Sequence, residues 1–573
     1  MTRKRTNTNT GRQTVVIVTF VSFLVLLAIR AGYLQVMSSE YLQQQGKARY
    51  LRDVKENAVR GMIRDRNGAP LAISTPVDSV WAHPRTFGES RDRWTQLADI
   101  LRVSTGEISR SYNRHSGREF MYLKRHVTPQ VANKVKELAI PGVYLQREYR
   151  RYYPTGPVSG HVIGFTNIDD HGQEGLELIY DPLLRAIPGK KRVLKDRLGN
   201  IVESVENIRL PVPGKDITLS LDRRIQYLAY RELKAAVKQH KASSGSVVVL
   251  DAKTGEILAM VNEPGFNPNN RSGLRSRLFR NRSVTDVLEP GSTVKPFTIA
   301  LGLESGRFKP ATLINTSPGL FKVGKKTIRD THNYGYLSVA GVLEKSSNVG
   351  ATKIALAMNK KELWKQYSDV GFGSLTGSGL PGEVVGKLNA SNRWVKIDHA
   401  AISFGYGLSV TPVQLARAYT AIANDGVLLP VTILLHDGNE IEGRRVFSVT
   451  TARRVRAMLE LAVGSHGTGA AAQVQHYRVA GKTGTVHKLI SGSYSEKNYI
   501  SLFAGMAPAS DPRLVMVVTV DDPRGGDYFG GRVAAPVFSR VMSGAMRLLN
   551  IAPDGMELPN DRYIVQQKSR DTA

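Results

Sequence analysis

A serine and a lysine three residues apart, Ser292 and Lys295, are the first candidates for chemistry in this sequence. Pro296 follows the lysine, and proline is tolerated in the first turn of a helix but is costly deeper in it. A helix through residues 297–303 must therefore begin close to Ser292, which places the amine about one turn from the hydroxyl. A serine beside an amine that is held neutral can act as a nucleophile. The same spacing also arises by chance, with the serine as a plain helix cap.

Two further polar motifs follow in the chain. Ser346-Ser347-Asn348 comes just before a helical run at residues 349–358. Lys482-Thr483-Gly484-Thr485 closes a β-like run at residues 477–480. Together with Ser292 and Lys295, these motifs provide a nucleophile, two amines and several hydrogen-bonding side chains.

Each of these two motifs has a decoy elsewhere in the chain. Ser111-Tyr112-Asn113 also fits Ser-x-Asn, and Lys253-Thr254-Gly255 also fits Lys-Thr-Gly. Both decoys precede Ser292, and the second lies in a predicted hairpin turn. Order and context therefore favour the motifs at 346 and 482.

The elements that must position these residues follow from local patterns of apolar and turn residues. We expect strands at 245–250, 257–261, 499–507 and 514–520, and helices at 223–240 and 535–550. Strands at both ends with a long helical insertion between them indicate one antiparallel sheet flanked by helices.

Composition limits the classes of function. A chain of 573 residues is expected to hold two or three domains. Its formal net charge of +30 predicts attraction to polyanions, among them nucleic acid, anionic lipid and carboxylate-rich polymers. The sequence has no cysteine, which excludes disulfides, thiolate zinc sites and cysteine nucleophiles.

The N-terminus carries a candidate membrane anchor. Four basic residues precede an uncharged stretch at 13–29, and Arg30 is the only basic residue in the 16 positions after it. The positive-inside rule then places the N-terminus in the cytoplasm and the chain after about residue 35 outside. Arg30 also occupies the region where a signal-peptide cleavage site would need small residues, so an uncleaved anchor is favoured. An extracytoplasmic body without a zinc finger, an RNP-like motif or a basic helix argues against nucleic-acid binding.

Residues 51–221 contain charged and glycine-rich patches without a nucleophile–base pair or metal-ligand spacing. The clearest are 60–68, 150–154, 174–177 and 195–200. We interpret them as structural ion pairs and turns. Residues 60–68 also indicate a strand that enters an Asn-Gly turn.

The motif order Ser-x-x-Lys, Ser-x-Asn and Lys-Thr-Gly-Thr resembles that of penicillin-binding proteins and serine β-lactamases. Longer stretches resemble the division-specific class B penicillin-binding proteins of Gram-negative bacteria, the penicillin-binding protein 3 type. These stretches are residues 289–296, 345–350, 403–407 and 528–531, together with 60–68 and 150–154. The resemblance covers nearly the whole chain after the anchor.

This resemblance implies an α/β (α+β) fold. A transpeptidase domain with a five-stranded antiparallel sheet between helices is expected at 222–553, after a mixed α+β, non-catalytic pedestal at 35–221. A cytoplasmic tail (1–13), a transmembrane helix (14–34) and a C-terminal tail (554–573) complete the expected organisation. The enzyme would sit in the bacterial inner membrane by a single pass, with its catalytic domain in the periplasm.

The resemblance also implies roles for the motif residues in peptidoglycan cross-linking at the septum. Ser292 would form the acyl-enzyme, Lys295 would be its base, and Ser346 would relay a proton. Asn348 would bind the substrate backbone. The substrate's terminal carboxylate would be held by Lys482, Thr483 and Thr485 in the motif that contains Gly484. Tyr528 and Phe529 would wall the cleft, or pack in a core.

The expected partners are peptidoglycan stem peptides, the lipid-linked precursor, a membrane glycan polymerase and other division proteins. No cofactor or metal is expected, and β-lactams would be inhibitors. A carboxypeptidase or β-lactamase would need a base for water. Glu383 is the nearest candidate, but Asn389 follows it by six residues rather than by the four of the class A β-lactamase pattern. A non-catalytic membrane-anchored penicillin sensor is the other alternative.

Overall fold

The computed structural model describes residues 10–37, 40, 51–195, 201–273, 275–439, 441–490 and 492–555. The expected tails at 1–13 and 554–573 lie outside the described residues except for 10–13 and 554–555. Positions 196–200 of the charged patch at 195–200 also lie outside them.

The α-helices are Thr10–Gly32, Pro84–Phe87, Trp94–Leu101, Thr105–His115, Pro129–Glu137, Gly160–Ile163, Gly175–Ile179, Asp181–Leu184, Arg223–Gln239, Arg282–Thr285, Lys295–Glu304, Val339–Glu344, Asn348–Leu356, Lys360–Asp369, Lys396–Ile402, Pro412–Ala423, Val449–Val463, Gly530–Val533 and Ala535–Leu548. The strands are Leu51–Glu56, Ile63–Arg64, Pro70–Ala82, Met121–Val127, Val143–Tyr152, Phe165–Thr166, Gly172–Glu174, Gly189–Lys195, Ile201–Arg209, Ile217–Thr218, Ser244–Asp251, Ile257–Glu263, Leu313–Asn315, Leu320–Val323, Lys326–Arg329, Tyr336–Ser338, Val427–Leu428, Arg444–Arg445, Ala480–Ile490, Ser493–Ala507 and Leu514–Asp521.

The chain forms two compact units, each assembled from separate segments. Of the described residues, one unit contains those within 1–59, 76–149 and 186–213, and the other contains those within 60–75, 150–185 and 214–573. The candidate motifs all lie in the second unit, which we call the motif unit.

A five-stranded antiparallel sheet is the centre of the motif unit. In spatial order its strands are Ile257–Glu263, Ser244–Asp251, Leu514–Asp521, Ser493–Ala507 and Ala480–Ile490. The predicted hairpin at 245–250 and 257–261 and the predicted strands at 499–507 and 514–520 are confirmed as four of its members. The fifth strand contains the Lys-Thr-Gly-Thr motif.

Both faces of this sheet are buried: alternate side chains of each strand point to opposite faces, and each face packs in its own apolar cluster. Val247 and Val249 pack in a cluster with the helices Arg223–Gln239 and Ala535–Leu548. Val248 and Leu250 belong to the larger cluster on the other face, which includes the helix that follows Ser292. This helical covering of both faces confirms the layered architecture predicted from the sequence.

In the other unit, a separate apolar cluster includes Val80, Trp94 and Leu97. This unit also contains an antiparallel sheet of the strands Leu51–Glu56, Gly189–Lys195 and Ile201–Arg209.

One helix in the described part of the chain, continuous over Thr10–Met37, is long and apolar enough to cross a bilayer. None of its residues is buried by the rest of the protein. By length and composition it therefore qualifies as a membrane span.

Candidate active site

The serine of the first motif lies at a change of helix type. A 3₁₀ turn over Gly291–Val294 leads directly into the helix Lys295–Glu304, with Pro296 in its first turn. Ser292 is half-buried and lines a cleft, whereas Lys295 is completely buried. The proline has confined the start of the helix to this position, as the sequence predicted.

The Lys295 ammonium is held by the second motif. Its Nζ donates to the carbonyl oxygen of Ser346 at 2.5 Å, to Oδ1 of Asn348 at 2.7 Å and to Oγ of Ser346 at 3.2 Å. Burial lowers the pKa of Lys295 well below its ordinary value, the charge of Lys482 lowers it further, and Asp330 opposes both. A lysine with a lowered pKa is uncharged in a larger fraction of molecules, which a general base requires.

Asp330 fixes the start of the helix that carries Asn348. Its carboxylate accepts from the backbone N–H of Asn348 at 2.5 Å and of Val349 at 3.0 Å, and Ser347 Oγ donates to it at 2.5 Å. A carboxylate at this position also interacts favourably with the helix dipole. Ser346, just before the helix, has a φ of +60°, an uncommon conformation for a residue other than glycine.

The third motif lies in the first half of an edge strand of the central sheet. The sequence predicted that the motif closes a run at 477–480, but the strand begins only at Ala480. Tyr477 instead pairs locally with Val474, and Ala480 is the first residue that pairs with the neighbouring strand, at Met506. The motif therefore belongs to the sheet because of its distant partner strand.

Lys482 is completely buried below the cleft. Its Nζ lies 3.4 Å from Oγ1 of Thr468 and 3.5 Å from Oγ1 of Thr483, and these two hydroxyls are 2.8 Å apart. Burial lowers the pKa of Lys482 to about 7. Alternation along the strand places Thr483, Thr485 and His487 on the cleft face.

Two glycines permit the backbone to pass close beside Ser292. A Cβ on Gly405 would lie 2.1 Å from the carbonyl oxygen of Gly291, and both glycines have positive φ angles, +93° and +53°. The Gly291 N–H donates to the Gly405 carbonyl oxygen at 3.2 Å. The segment at 403–407, noted in the sequence, thus packs against the turn that carries Ser292.

Tyr528 and Phe529 both line the cleft. The Tyr528 ring stacks on Tyr499 at 4.1 Å and on Phe529 at 4.5 Å between ring centroids. Phe529 is 47% exposed, which does not fit the alternative of a core position. The next residue, Gly530, donates its N–H to Oγ1 of Thr485 at 2.9 Å.

The cleft has a volume of about 780 Å³. It is lined by Ser292, Ser346, Asn348, Thr483, Thr485, Tyr528 and Phe529 from the predicted set, and by Asp330, Thr331, Tyr334, Lys345, Tyr406, Thr468, Ala470, Ala471, His487, Tyr499, Gly531 and Arg532, which were not predicted as site residues. Lys295 and Lys482 lie beneath it, in contact with lining residues. Gly484 does not line it, and a Cβ at this position would approach Thr293 to 3.1 Å.

The remaining candidates lie elsewhere. Glu383 accepts from the Thr376 N–H and from Ser378 Oγ, and it does not line the cleft. The decoy at 111–113 lies inside the helix Thr105–His115, and the decoy at 253–255 lies in the turn of the central hairpin.

Comparisons with known families cover both halves of the sequence. Residues 245–543 match the penicillin binding protein transpeptidase domain, and residues 55–219 match the penicillin-binding protein dimerisation domain.

Relatives match along nearly their full length. The chain is 43% identical to "Peptidoglycan D,D-transpeptidase FtsI" of Escherichia coli K12 over 551 residues, 95% of this chain and 93% of that protein. It is 42% identical to "Probable peptidoglycan D,D-transpeptidase PenA" of Neisseria meningitidis Z2491 over 554 residues, 96% of this chain and 95% of that protein.

A solved structure is also similar, that of the "TP domain from Burkholderia pseudomallei penicillin-binding protein 3". It is 46% identical in sequence and superimposes with a TM-score of 0.55; the match covers 59% of this chain and 98% of the chain in that structure.

Proposed function

This chain belongs to the class B penicillin-binding proteins of the FtsI type, and from that premise we propose how its cleft cross-links peptidoglycan. The protein is a peptidoglycan D,D-transpeptidase that acts in septal cell-wall synthesis through a serine acyl-enzyme and is inhibited by β-lactams. The observation that carries the assignment of residues is the buried Lys295, which donates to Ser346 and Asn348 of the second motif.

In the acylation step, Ser292 Oγ attacks the carbonyl carbon of the penultimate D-Ala of a donor stem peptide. Lys295 accepts the hydroxyl proton, and the new Oγ–C bond forms a tetrahedral intermediate. The N–H groups of Ser292 and Thr485 stabilise its oxyanion, and such donors are typically worth about 3–4 kcal/mol each. The C–N bond then breaks, and the proton passes by way of Ser346 to the departing D-Ala amine.

Substrate orientation comes from the edge strand and from Asn348. Lys482 and the hydroxyls of Thr483 and Thr485 hold the terminal carboxylate, and the amide of Asn348 binds the peptide backbone. Tyr528 and Phe529 form one wall of the cleft. Lys482 is not exposed in the cleft, so its positive charge acts on the carboxylate from beneath Thr483.

In the second step, an amine of a stem peptide on a neighbouring glycan strand attacks the ester carbonyl. Its C–N bond forms, the C–Oγ bond breaks, and the amine's proton returns to Ser292 through Lys295. Hydrolysis would need a base positioned for water, and Glu383 is already bonded to Thr376 and Ser378. This favours transfer to an amine over transfer to water.

The decisive test of the catalytic assignment is intact-protein mass spectrometry after incubation with a penicillin. We expect one covalent adduct on the unaltered chain and none on Ser292→Ala. Ser111→Ala removes the serine of a decoy motif and should label normally. Absence of an adduct on the unaltered chain would overturn the assignment and favour a non-catalytic scaffold.

Product analysis separates transferase from hydrolase. With a stem-peptide thioester as donor and an amine as acceptor, we expect the cross-linked product to form. Exclusive hydrolysis would instead support a carboxypeptidase.

We also propose that the helix Thr10–Met37 anchors the enzyme in the inner membrane, with the N-terminus in the cytoplasm and the motif unit in the periplasm. Four basic residues before the apolar stretch support this orientation. External protease should digest the motif unit in spheroplasts but not in intact cells. Protection in spheroplasts would contradict this topology.

The lipid-linked precursor, a membrane glycan polymerase and other division proteins are the proposed partners, because cross-linking needs newly made glycan strands. Depletion in the native host should give filaments, and the full-length chain should co-purify with a polymerase. Rounded cells would indicate a role in elongation instead.

A further inference from the structure

A short hairpin beside the cleft carries an unusual density of positive charge. Its strands are Leu320–Val323 and Lys326–Arg329, and we call it the basic hairpin. Its ten residues include four cations, Lys322, Lys325, Lys326 and Arg329, and no acidic residue. All four cations are exposed.

These cations have no acidic partner among the residues that the structure describes. Other cations near the cleft are paired, as Lys345 is with Glu344 and Arg532 with Asp527. Four like charges within ten residues repel one another, so an anionic ligand would relieve a real electrostatic cost.

The basic hairpin is a fixed platform. Val323 and Ile328 on its inner face are buried in the main apolar cluster. Lys353 of the helix Asn348–Leu356 lies 5.1 Å over the ring of Phe321 and donates to the carbonyl oxygen of Asn315 at 2.6 Å. A ligand bound to the exposed cations would therefore be held at a defined position.

The basic hairpin is also joined directly to the cleft. The carbonyl oxygen of Arg329 accepts from Nδ2 of Asn348 at 3.0 Å. The next two residues, Asp330 and Thr331, line the cleft. An extended ligand on the hairpin could therefore reach the acyl-enzyme with its other end.

The donor peptide does not need this surface, because its carboxylate has its own site around Lys482 and Thr483. The reaction does need a second stem peptide, which brings an amine to the ester and carries free carboxylates. We propose that the basic hairpin docks this acceptor stem peptide by its carboxylates while its amine enters the cleft past Asp330. This inference rests on the proposed transpeptidase function and identifies where that reaction takes its second substrate.

The test uses the full-length enzyme in detergent, with Lys322→Gln, Lys325→Gln and Lys326→Gln combined. The donor is a stem-peptide thioester, and the acceptor is a stem tripeptide ending in diaminopimelate with its carboxylates free. We expect the KM for this acceptor to rise at least about fivefold, since each exposed charge pair contributes modestly. The rise should shrink in high salt. The penicillin acylation rate should not change, because acylation uses only the donor side.

Two controls make the result specific. The first is a variant that loses the same charge at exposed positions outside the basic hairpin, through Lys238→Gln, Lys361→Gln and Lys396→Gln combined. It should leave the acceptor KM unchanged. A tripeptide with amidated carboxylates should be used equally by the hairpin variant and the unaltered enzyme.

The outcomes distinguish this proposal from the function on which it rests. Normal acylation with an unchanged acceptor KM in the hairpin variant would overturn the docking proposal alone. An equal loss with the amidated acceptor would also overturn it, since the hairpin would then act through cleft structure. Failure of the unaltered chain to acylate would overturn the transpeptidase assignment itself.

Discussion

Lys295 and Lys482 are both completely buried, and the proposed mechanism requires opposite protonation states of them. Lys295 must lose its proton to act as the base, whereas Lys482 must keep its proton to attract a carboxylate. Burial lowers the pKa of both, and the charge of Lys482 lowers that of Lys295 further. Proton binding by the two amines is thus linked, because a charge on Lys482 disfavours a second charge on Lys295.

This arrangement predicts a bell-shaped pH dependence for acylation. The rate should rise from the acid side as Lys295 loses its proton, and fall above about pH 7 as Lys482, whose pKa is lowered to about 7, loses its charge. The measurement is the second-order acylation rate by benzylpenicillin from pH 5 to 10. The penicillin methyl ester has no carboxylate and should lack the falling limb. A rate that rises up to pH 10 with benzylpenicillin would contradict this account.

Asp330→Asn tests how Asn348 is positioned. Two N–H groups and one hydroxyl lose an anionic acceptor, so acylation should slow about tenfold or more. Because Asp330 raises the pKa of Lys295, the rising limb of the pH profile should also move to lower pH. Asp511→Asn, at an exposed ion pair with Lys253, should change neither property. If acylation slows but the rising limb of the pH profile stays in place, the substitution has disturbed only the start of the helix.

The three motifs could be found in the sequence because the residues within each lie only a few positions apart and the order of the motifs resembles that of a known family. Asp330 could not be found in this way. It is a lone acid whose role arises from contacts with amides 18 and 19 residues further along the chain. Thr468 likewise has no local signal, and only the fold brings it to the cleft. His487 could have been found, because strand alternation from Thr483 and Thr485 places it on the same face.

The contact between Gly405 and Gly291 predicts the effect of a single methyl group. Gly405→Ala would place a carbon 2.1 Å from a carbonyl oxygen, so the turn that holds Ser292 must move. We expect a loss of about 1–3 kcal/mol in the free energy of unfolding and acylation slowed by about tenfold. Thermal unfolding and penicillin acylation measure the two effects.

Gly438→Ala is the matched control, since Gly438 also has a positive φ, +89°, but its Cβ would meet nothing within 4 Å. It should lose about 1 kcal/mol from backbone strain alone and acylate normally. Equal behaviour of the two variants would show that contact with Gly291 is unimportant.

Element prediction succeeded where the pattern was local. The two β-rich runs at 245–250 and 257–261 and the turn residues between them were sufficient to predict a hairpin, which the structure confirms. The start of the strand at Ala480 could not be predicted, because pairing with residues 493–507 rather than local hydrophobicity makes the polar Lys-Thr-Gly-Thr segment a strand.

The motif unit includes a buried ion network from the N-terminal half of the sequence. Arg60 donates to Glu177 and Asp181 at 2.7 Å, and Arg151 donates to Glu177 at 2.6 Å. Glu177 is completely buried. This agrees with the interpretation of these charged patches as structural. The positions of these charged residues along the chain gave no sign that they belong to the same unit as the motifs. The domain limit at residue 221 remains a prediction.

Glu177→Ala should therefore destabilise the motif unit strongly. Removal of Glu177 leaves buried Arg151 without its ion-pair partner and takes one of two carboxylates from Arg60, and breaking a buried pair typically costs about 3–5 kcal/mol. Asp216→Asn disrupts the exposed pair with Arg64 and should cost about 0–1 kcal/mol. Thermal unfolding followed by tryptophan fluorescence compares the two variants. Similar transitions would show that the network contributes little.

The chain crosses between the two units five times. Side chains from its first 185 residues, such as Leu71 and Leu176, lie in the same apolar cluster as Phe297. A protease that cuts once near residue 214 would thus produce two fragments that do not separate. The nicked enzyme would elute with the intact one from a sizing column, and its pieces would part only in denaturant.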